Sequence, residues 1–201
     1  MDQNKDISDK LDKFRAGLAE ESDHPLSDSV FEYILANSTL LSCRKGEAII
    51  DFGTVDSDLY FMVDGITRGF VRHNATETNV YFGLEGTMLN SMQCYSYGEP
   101  SILRIEACCP TILLRVTKEN YDRMMRESHE FCLWMSGVFS RRSTFAELKA
   151  KMMDGDARWR YEWLEKCRPE LFDHVPLKAI ASYLNMSEVH VSRIRKQIAG
   201  N

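Results

Sequence analysis

The stretch Pro176-Leu-Lys-Ala-Ile-Ala-Ser-Tyr-Leu-Asn-Met-Ser-Glu-Val-His-Val-Ser-Arg-Ile-Arg-Lys-Gln-Ile-Ala-Gly-Asn201 decides how this chain is read. Pro176 suits the first turn of a helix, where no N–H is needed. Leu177, Ile180, Ala181 and Leu184 make an i, i+3, i+4, i+7 apolar stripe. Asn185 stands where the chain must pass through a left-handed conformation, which Asn tolerates. Ser187 is placed to cap a second helix. In that helix Val191, Ile194 and Ile198 face inward, and Lys196 and Gln197 lie on the free side. Two short helices at a tight turn, the second with a basic free face, are the build of a helix-turn-helix. That motif lays its second helix in the major groove of DNA.

The build assigns roles. N-terminal residues of a recognition helix meet base edges, so Glu188, Val189, His190, Ser192 and Arg193 are the candidate base readers. Arg193 can grip guanine with two bonds, Glu188 can accept from cytosine, and Val189 can touch a thymine methyl. Lys178, Ser187, Arg195 and Lys196 are the candidate phosphate contacts. The charge distribution agrees. Residues 1–155 hold 17 Lys and Arg against 24 Asp and Glu, whereas residues 156–201 hold 8 against 6. The net charge of −5 excludes a protein that coats nucleic acid over its whole surface.

Upstream, Arg44 to Val116 is a series of short β-branched and aromatic runs cut by turn signals. The runs are Gly46–Gly53, Leu59–Val63, Ile66–Arg72, Thr78–Phe82, Ser101–Ala107 and Thr111–Val116. Asp64-Gly65 between two of them predicts a hairpin. Many short strands with no helices between them predict an antiparallel β-roll or jelly roll. Residues 6–20 and 27–37 predict flanking amphipathic helices.

Thr117 predicts the cap of a helix over 118–126, and a longer helix follows from Ser128 to Met153. Its apolar residues Phe131, Trp134, Val138, Phe145, Leu148 and Met152 are spaced 3, 4, 7, 3 and 4 apart, a heptad seam. A helix of this length after a barrel predicts a parallel dimer along that seam. Asp154-Gly-Asp156 predicts a hinge, and Ala157 to Lys166 a further helix with Trp159, Trp163 and Leu164 as packing residues. The expected organisation is α+β: a sensor domain over 1–126, a dimerisation helix and hinge over 127–155, and a small all-α reader over 156–201.

No apolar run approaches the ~18 residues that cross a bilayer, and the polar start Met1-Asp-Gln-Asn-Lys lacks a signal-peptide core. A cytoplasmic location is expected, with no membrane partner. None of the six cysteines forms a C-x-x-C pair, so neither a metal nor a cofactor is expected.

Several pieces together resemble the Crp/Fnr family of bacterial transcription regulators, over nearly the full length. They are Arg44-Lys-Gly-Glu47, the segment Phe61-Met-Val-Asp-Gly-Ile-Thr-Arg-Gly-Phe-Val-Arg72, the strand-rich region and the long helix. The closest piece is Ala179-Ile-Ala-Ser-Tyr-Leu-Asn-Met-Ser187 with Val191-Ser-Arg-Ile-Arg-Lys196. The resemblance implies a cyclic-nucleotide-binding-like β-roll, a homodimer and a pseudo-palindromic site on double-stranded promoter DNA. RNA polymerase and a small-molecule effector are the further partners it implies.

The family's cyclic-nucleotide members hold their ligand with a Gly-Glu for the ribose and an Arg-Ser/Thr-Ala for the phosphate. In the comparable stretch Gly86–Arg104, Ser101 falls on the Ser/Thr. Pro100 then replaces the arginine, and Asn90 or Ser91 the glutamate. A buried phosphate would lack its cation, so cAMP is not expected to bind in the family's manner. The candidate effector pocket is Tyr81, Met88, Asn90, Gln93, Tyr95, Tyr97 and Arg104, a mix suited to a neutral ligand. A second reading is a cupin-like small-molecule-binding β-barrel whose helical tail mediates association only. An enzyme of that kind needs clustered His and carboxylates on its strands, and the strands hold His73 and little else. No catalytic residues are assigned.

Overall fold

The computed structural model describes residues 2–199, with side chains from 9 to 198. Two helices, α1 (Asp2–Glu20) and α2 (Asp28–Ala36), precede the strands β1 (Thr39–Cys43), β2 (Ala48–Ile50), β3 (Leu59–Asp64), β4 (Thr67–His73), β5 (Thr76–Gly83) and β6 (Met88–Leu89). A short helix α3 (Met92–Tyr97) leads to β7 (Leu103–Ala107) and β8 (Thr111–Val116). The helices α4 (Lys118–Glu127), α5 (His129–Met152), α6 (Ala157–Cys167), α7 (Leu171–His174), α8 (Leu177–Tyr183) and α9 (Glu188–Ala199) follow. The strands form two antiparallel sheets of four, ordered β1-β8-β3-β6 and β2-β7-β4-β5. This roll with flanking helices is the α+β class that the sequence predicts.

Strand β3 explains the layering. Successive side chains of a strand point to opposite faces, and here both faces are dry. Leu59, Phe61 and Val63 enter a core with α1, α2, α4 and α5, while Tyr60 and Met62 enter the roll interior. Strand β8 repeats the pattern, with Leu114 and Val116 outside and Leu113 inside.

The hairpin expected at Asp64-Gly65 is not one. Both edges of β3 are taken, by β8 and β6, so the chain turns a corner there and enters the other sheet as β4. The hairpin of that region joins β4 to β5 instead. Asn74 and Ala75 turn it with φ of 46° and 65°, the positive values that a two-residue type I′ turn needs. Strands β1 and β6, and helices α3 and α7, also lie outside the runs read from the sequence.

Helix α5 begins where expected, with the Ser128 hydroxyl accepting from Phe131 N at 3.1 Å, but half of its seam is spent at home. Phe131, Trp134 and Val138 are fully buried in the chain's own core. Trp134 stacks on Phe131 at 6.0 Å and donates to Leu18 O at 3.2 Å. These three residues therefore do not line a dimer seam, because the first sheet and α1 already cover them. The later seam residues leave the sheet: Phe145 is 43% and Leu148 57% exposed, with Met152 half-buried.

Helix α1 crosses the turn before β6 at Gly17 and Gly86, where a Cβ on either glycine would meet the other segment's backbone well inside contact distance. Alanine is the better helix former by about 1 kcal/mol. Overpacking against backbone costs about 1–3 kcal/mol and wins. Gly17→Ala is expected to lower the midpoint of urea unfolding; a raised midpoint would show that the helix shifts freely.

Candidate DNA-binding interface

Helices α6 to α9 share one apolar core. Tyr161 and Leu164 of α6, Leu171 of α7, Ala179, Ile180, Ala181 and Tyr183 of α8, and Val191 and Ile194 of α9 are buried together. Tyr161 is the anchor of α6, and Trp159, expected to pack, is exposed instead. The turn between α8 and α9 is a Schellman motif. Met186 N donates to Ala181 O at 2.9 Å and Asn185 N to Ser182 O at 3.1 Å, with Asn185 left-handed at φ 55°. Arg160 of α6 donates to Leu184 O at 2.8 Å and fixes the turn from the other side. The Ser187 hydroxyl accepts from His190 N at 3.2 Å and starts α9.

This frame presents α9 to solvent. Glu188, Val189, His190 and Arg193 are exposed, with Val189 at 62%, and Ser192 is half-buried. Lys178, Ser187, Arg195 and Lys196 are also exposed on the same module. Ser187 accepts in its capping bond and so keeps its own proton to donate.

The module also rests on the roll. Ile66, Leu84 and Cys108 belong to the core of α6 to α9, and Phe82 of β5 packs on Tyr183 with ring centroids 5.0 Å apart. The Ser182 hydroxyl accepts from Asn79 N and donates to Glu77 O, both at 3.0 Å. Lys149 of α5 lies 3.5 Å from the centroid of the Tyr183 ring and donates to Val80 O at 2.8 Å. Burial pushes its ammonium down to about 8. Asn79 Oδ1 is buried without a partner, which costs about 1–3 kcal/mol. Neither Ser182 nor Lys149 is among the residues picked from the sequence. The one trace is a serine inside the otherwise apolar run Ala179 to Leu184.

The candidate effector pocket does not assemble. Met88 lies in the core under α1 and α5, and Tyr95 packs on Tyr121 and donates to Asp122 at 2.7 Å. Tyr97 is 77% exposed. Gln93 donates to Glu99 at 2.9 Å, and Asn90 lies 3.0 Å from Met92 Sδ. Arg104 is held by Asp51 at 2.7 Å and Glu106 at 2.9 Å. Of the seven, only Tyr81 packs against the roll interior, half-buried beside the cluster of Ile50, Met62, Leu89, Ile105 and Leu113. An open cleft of about 860 Å³ between α1 and the β1–β2 and β7–β8 turns contains none of the seven.

No family model and no curated protein matches the sequence. Solved structures do. The c-di-GMP responsive global regulator CLP of Xanthomonas campestris superposes with a TM-score of 0.70 at 15% identity, covering 87% of this chain and 92% of that one. FixK2 of Bradyrhizobium japonicum gives 0.68 at 18% identity, over 81% and 85% of the two chains. The catabolite activator protein of Thermus thermophilus gives 0.57 at 19%, over 92% and 87%. The chain has the Crp/Fnr fold.

Within this Crp/Fnr fold the stretch compared with the phosphate-binding segment is closed on itself. Ser101 is buried, and its hydroxyl donates to Leu103 O at 2.7 Å and lies 3.1 Å from the Ser91 hydroxyl. Pro100 faces solvent.

The αL turn gives a direct check. Asn185→Ala places a Cβ-bearing residue without a compensating amide at φ 55°, at a cost of about 1–2 kcal/mol. Thermal unfolding is expected to show that loss for Asn185→Ala and none for Asn185→Gly.

Proposed function

We propose that the chain is a sequence-specific regulator of transcription that binds double-stranded DNA as a homodimer and does not take cAMP in the cyclic-nucleotide manner. The observation that carries the reading is α9, held by its capped turn with Glu188, Val189, His190 and Arg193 all free in solvent. A helix so mounted fits the major groove, and Arg193 offers the two parallel donors that guanine takes. Lys178, Ser187, Arg195 and Lys196 set the register on phosphates. RNA polymerase is the partner such a protein meets at a promoter.

The dimer contact moves toward the C-terminal part of α5. Phe145, Leu148 and Met152 continue the heptad spacing. Leu148, Lys151, Met152, Gly155 and Trp159 line an apolar groove of about 420 Å³ beside them. Two such surfaces face to face would bury what one chain leaves wet. The other contacts of Gln93, Tyr95 and Arg104 support a regulator that does not take its effector at the seven residues read as a pocket.

Two measurements test this. Arg193→Ala is expected to cost about 1–3 kcal/mol of specific binding, and wild-type affinity is expected to fall steeply with salt. Equal affinity for footprinted promoter fragments and random DNA would overturn the reading. Leu148→Asp is expected to convert the dimer to a folded monomer in sedimentation. A dimer that survives it places the contact elsewhere.

A further inference from the structure

Strand β5 is the outer strand of its sheet, and an outer strand carries unpaired backbone groups. Part of that edge is completed by side chains rather than by another strand. The Ser182 hydroxyl gives Asn79 N–H an acceptor and Glu77 C=O a donor, each at 3.0 Å. One hydroxyl thus replaces the donor and acceptor that a neighbouring strand would offer. The next residue is irregular. Gly69 pairs with Tyr81 but Phe70 with Asn79, so Val80 is the extra residue of a β-bulge. A bulge breaks the ladder and re-aims the strand locally, and the Val80 carbonyl is the one that accepts from Lys149 at 2.8 Å.

Lys149 belongs to α5, so three parts of the molecule meet on its ammonium. Its own helix carries the proposed dimer surface, Val80 belongs to the β-roll, and the Tyr183 ring under it belongs to α8 of the proposed reader. Between α5 and α6 there is only the short turn around Asp154-Gly-Asp156. Docking leaves the reading face open, since Glu188, Val189, His190 and Arg193 are exposed in the docked arrangement. The contact therefore orients the reader and does not block it.

We infer that Ser182 and Lys149 form a latch that fixes the reader on the β5 edge, and so fixes the distance between the two recognition helices of a dimer. The inference rests on the proposed DNA-binding dimer. The apolar seam of Ile66, Leu84 and Cys108 supplies adhesion, and the two polar contacts supply orientation, because hydrogen bonds are directional and apolar contact is not. Half-site spacing then becomes a property of β5 and α5 rather than of α9. Released from the latch, the reader keeps its apolar contact but loses its fixed orientation, pivots on that contact and on the Asp154–Asp156 turn, and accepts half-sites at several spacings.

The test uses the full-length protein and duplexes that carry the footprinted half-sites at their natural spacing or moved apart by about half a helical turn (roughly 5 bp). Wild type is expected to lose about 100-fold in affinity on the altered duplex, the avidity of two linked half-sites. Ser182→Ala combined with Lys149→Gln is expected to lose less than about tenfold, because the freed reader follows the moved half-site. Lys149→Arg, which keeps a cation over the ring, is expected to behave as wild type. Arg193→Ala is expected to weaken both duplexes and leave the docking intact. Wild-type discrimination in the double variant would overturn the latch.

A second readout needs no DNA. Hydrogen exchange at the Asn79 amide is expected to quicken about tenfold or more in Ser182→Ala, as its buried bond is lost. Unchanged protection would overturn the latch. If wild type prefers no fragment over random DNA, the DNA reading fails, and Asn79 exchange then decides the docking by itself.

Discussion

A strand with water on neither face cannot be moved without opening two cores at once, and β3 is such a strand. Its alternate side chains are committed to the helical layer on one side and to the roll interior on the other. Burying apolar area contributes about 25 cal/mol per Å², and a slip of one residue would exchange the two sets completely. The register of β8 and β6 follows from β3. So does the seat of α1, α4 and the first half of α5, all of which press on Phe61 and its neighbours. The rest of the molecule hangs on this layer. The second sheet completes the roll, and its outer strand becomes the shelf on which the last helices stand.

The two ends of the chain divide the physical work differently. The roll holds its polar groups in closed pairs, such as Arg68 with Glu77 and Glu106, and Arg104 with Asp51 and Glu106. Closed pairs cancel each other's field and offer little to a charged ligand. In α9 the cations stand in solvent. An exposed guanidinium contributes little to folding, and it costs little to bring to a phosphate or a base. The division suits the proposed reading, in which α9 is the surface that meets DNA.

The helix-turn-helix was the most legible part of the sequence because its signals are local. A stripe, an αL residue and a cap within about a dozen positions each follow from backbone chemistry, and all three are found. The β-roll class was legible from short strands, but its pairing was not. Asp64-Gly65 has the composition of a hairpin turn, and only the occupied edges of β3 make it a corner. Asn74-Ala75 lacks the glycine that marks such turns, so the true hairpin left no signal. The heptad on α5 was real spacing with two owners. A periodic pattern shows that a face is apolar, not which neighbour covers it, and Phe131, Trp134 and Val138 face the chain's own sheet. The expected effector pocket failed for the related reason that the direction in which each side chain leaves the roll is set by tertiary pairing. Ser182 and Lys149 were invisible because their partners on β5 lie about a hundred and about seventy residues away.

The divided helix α5 has a consequence for how such a regulator would be governed. Its buried half completes the core of a single subunit. The exposed half is short, and association through it would follow mass action rather than obligate assembly. For the proposed homodimer, occupancy of DNA would then rise with the square of subunit concentration at low levels, which makes the abundance of the protein itself a regulating quantity.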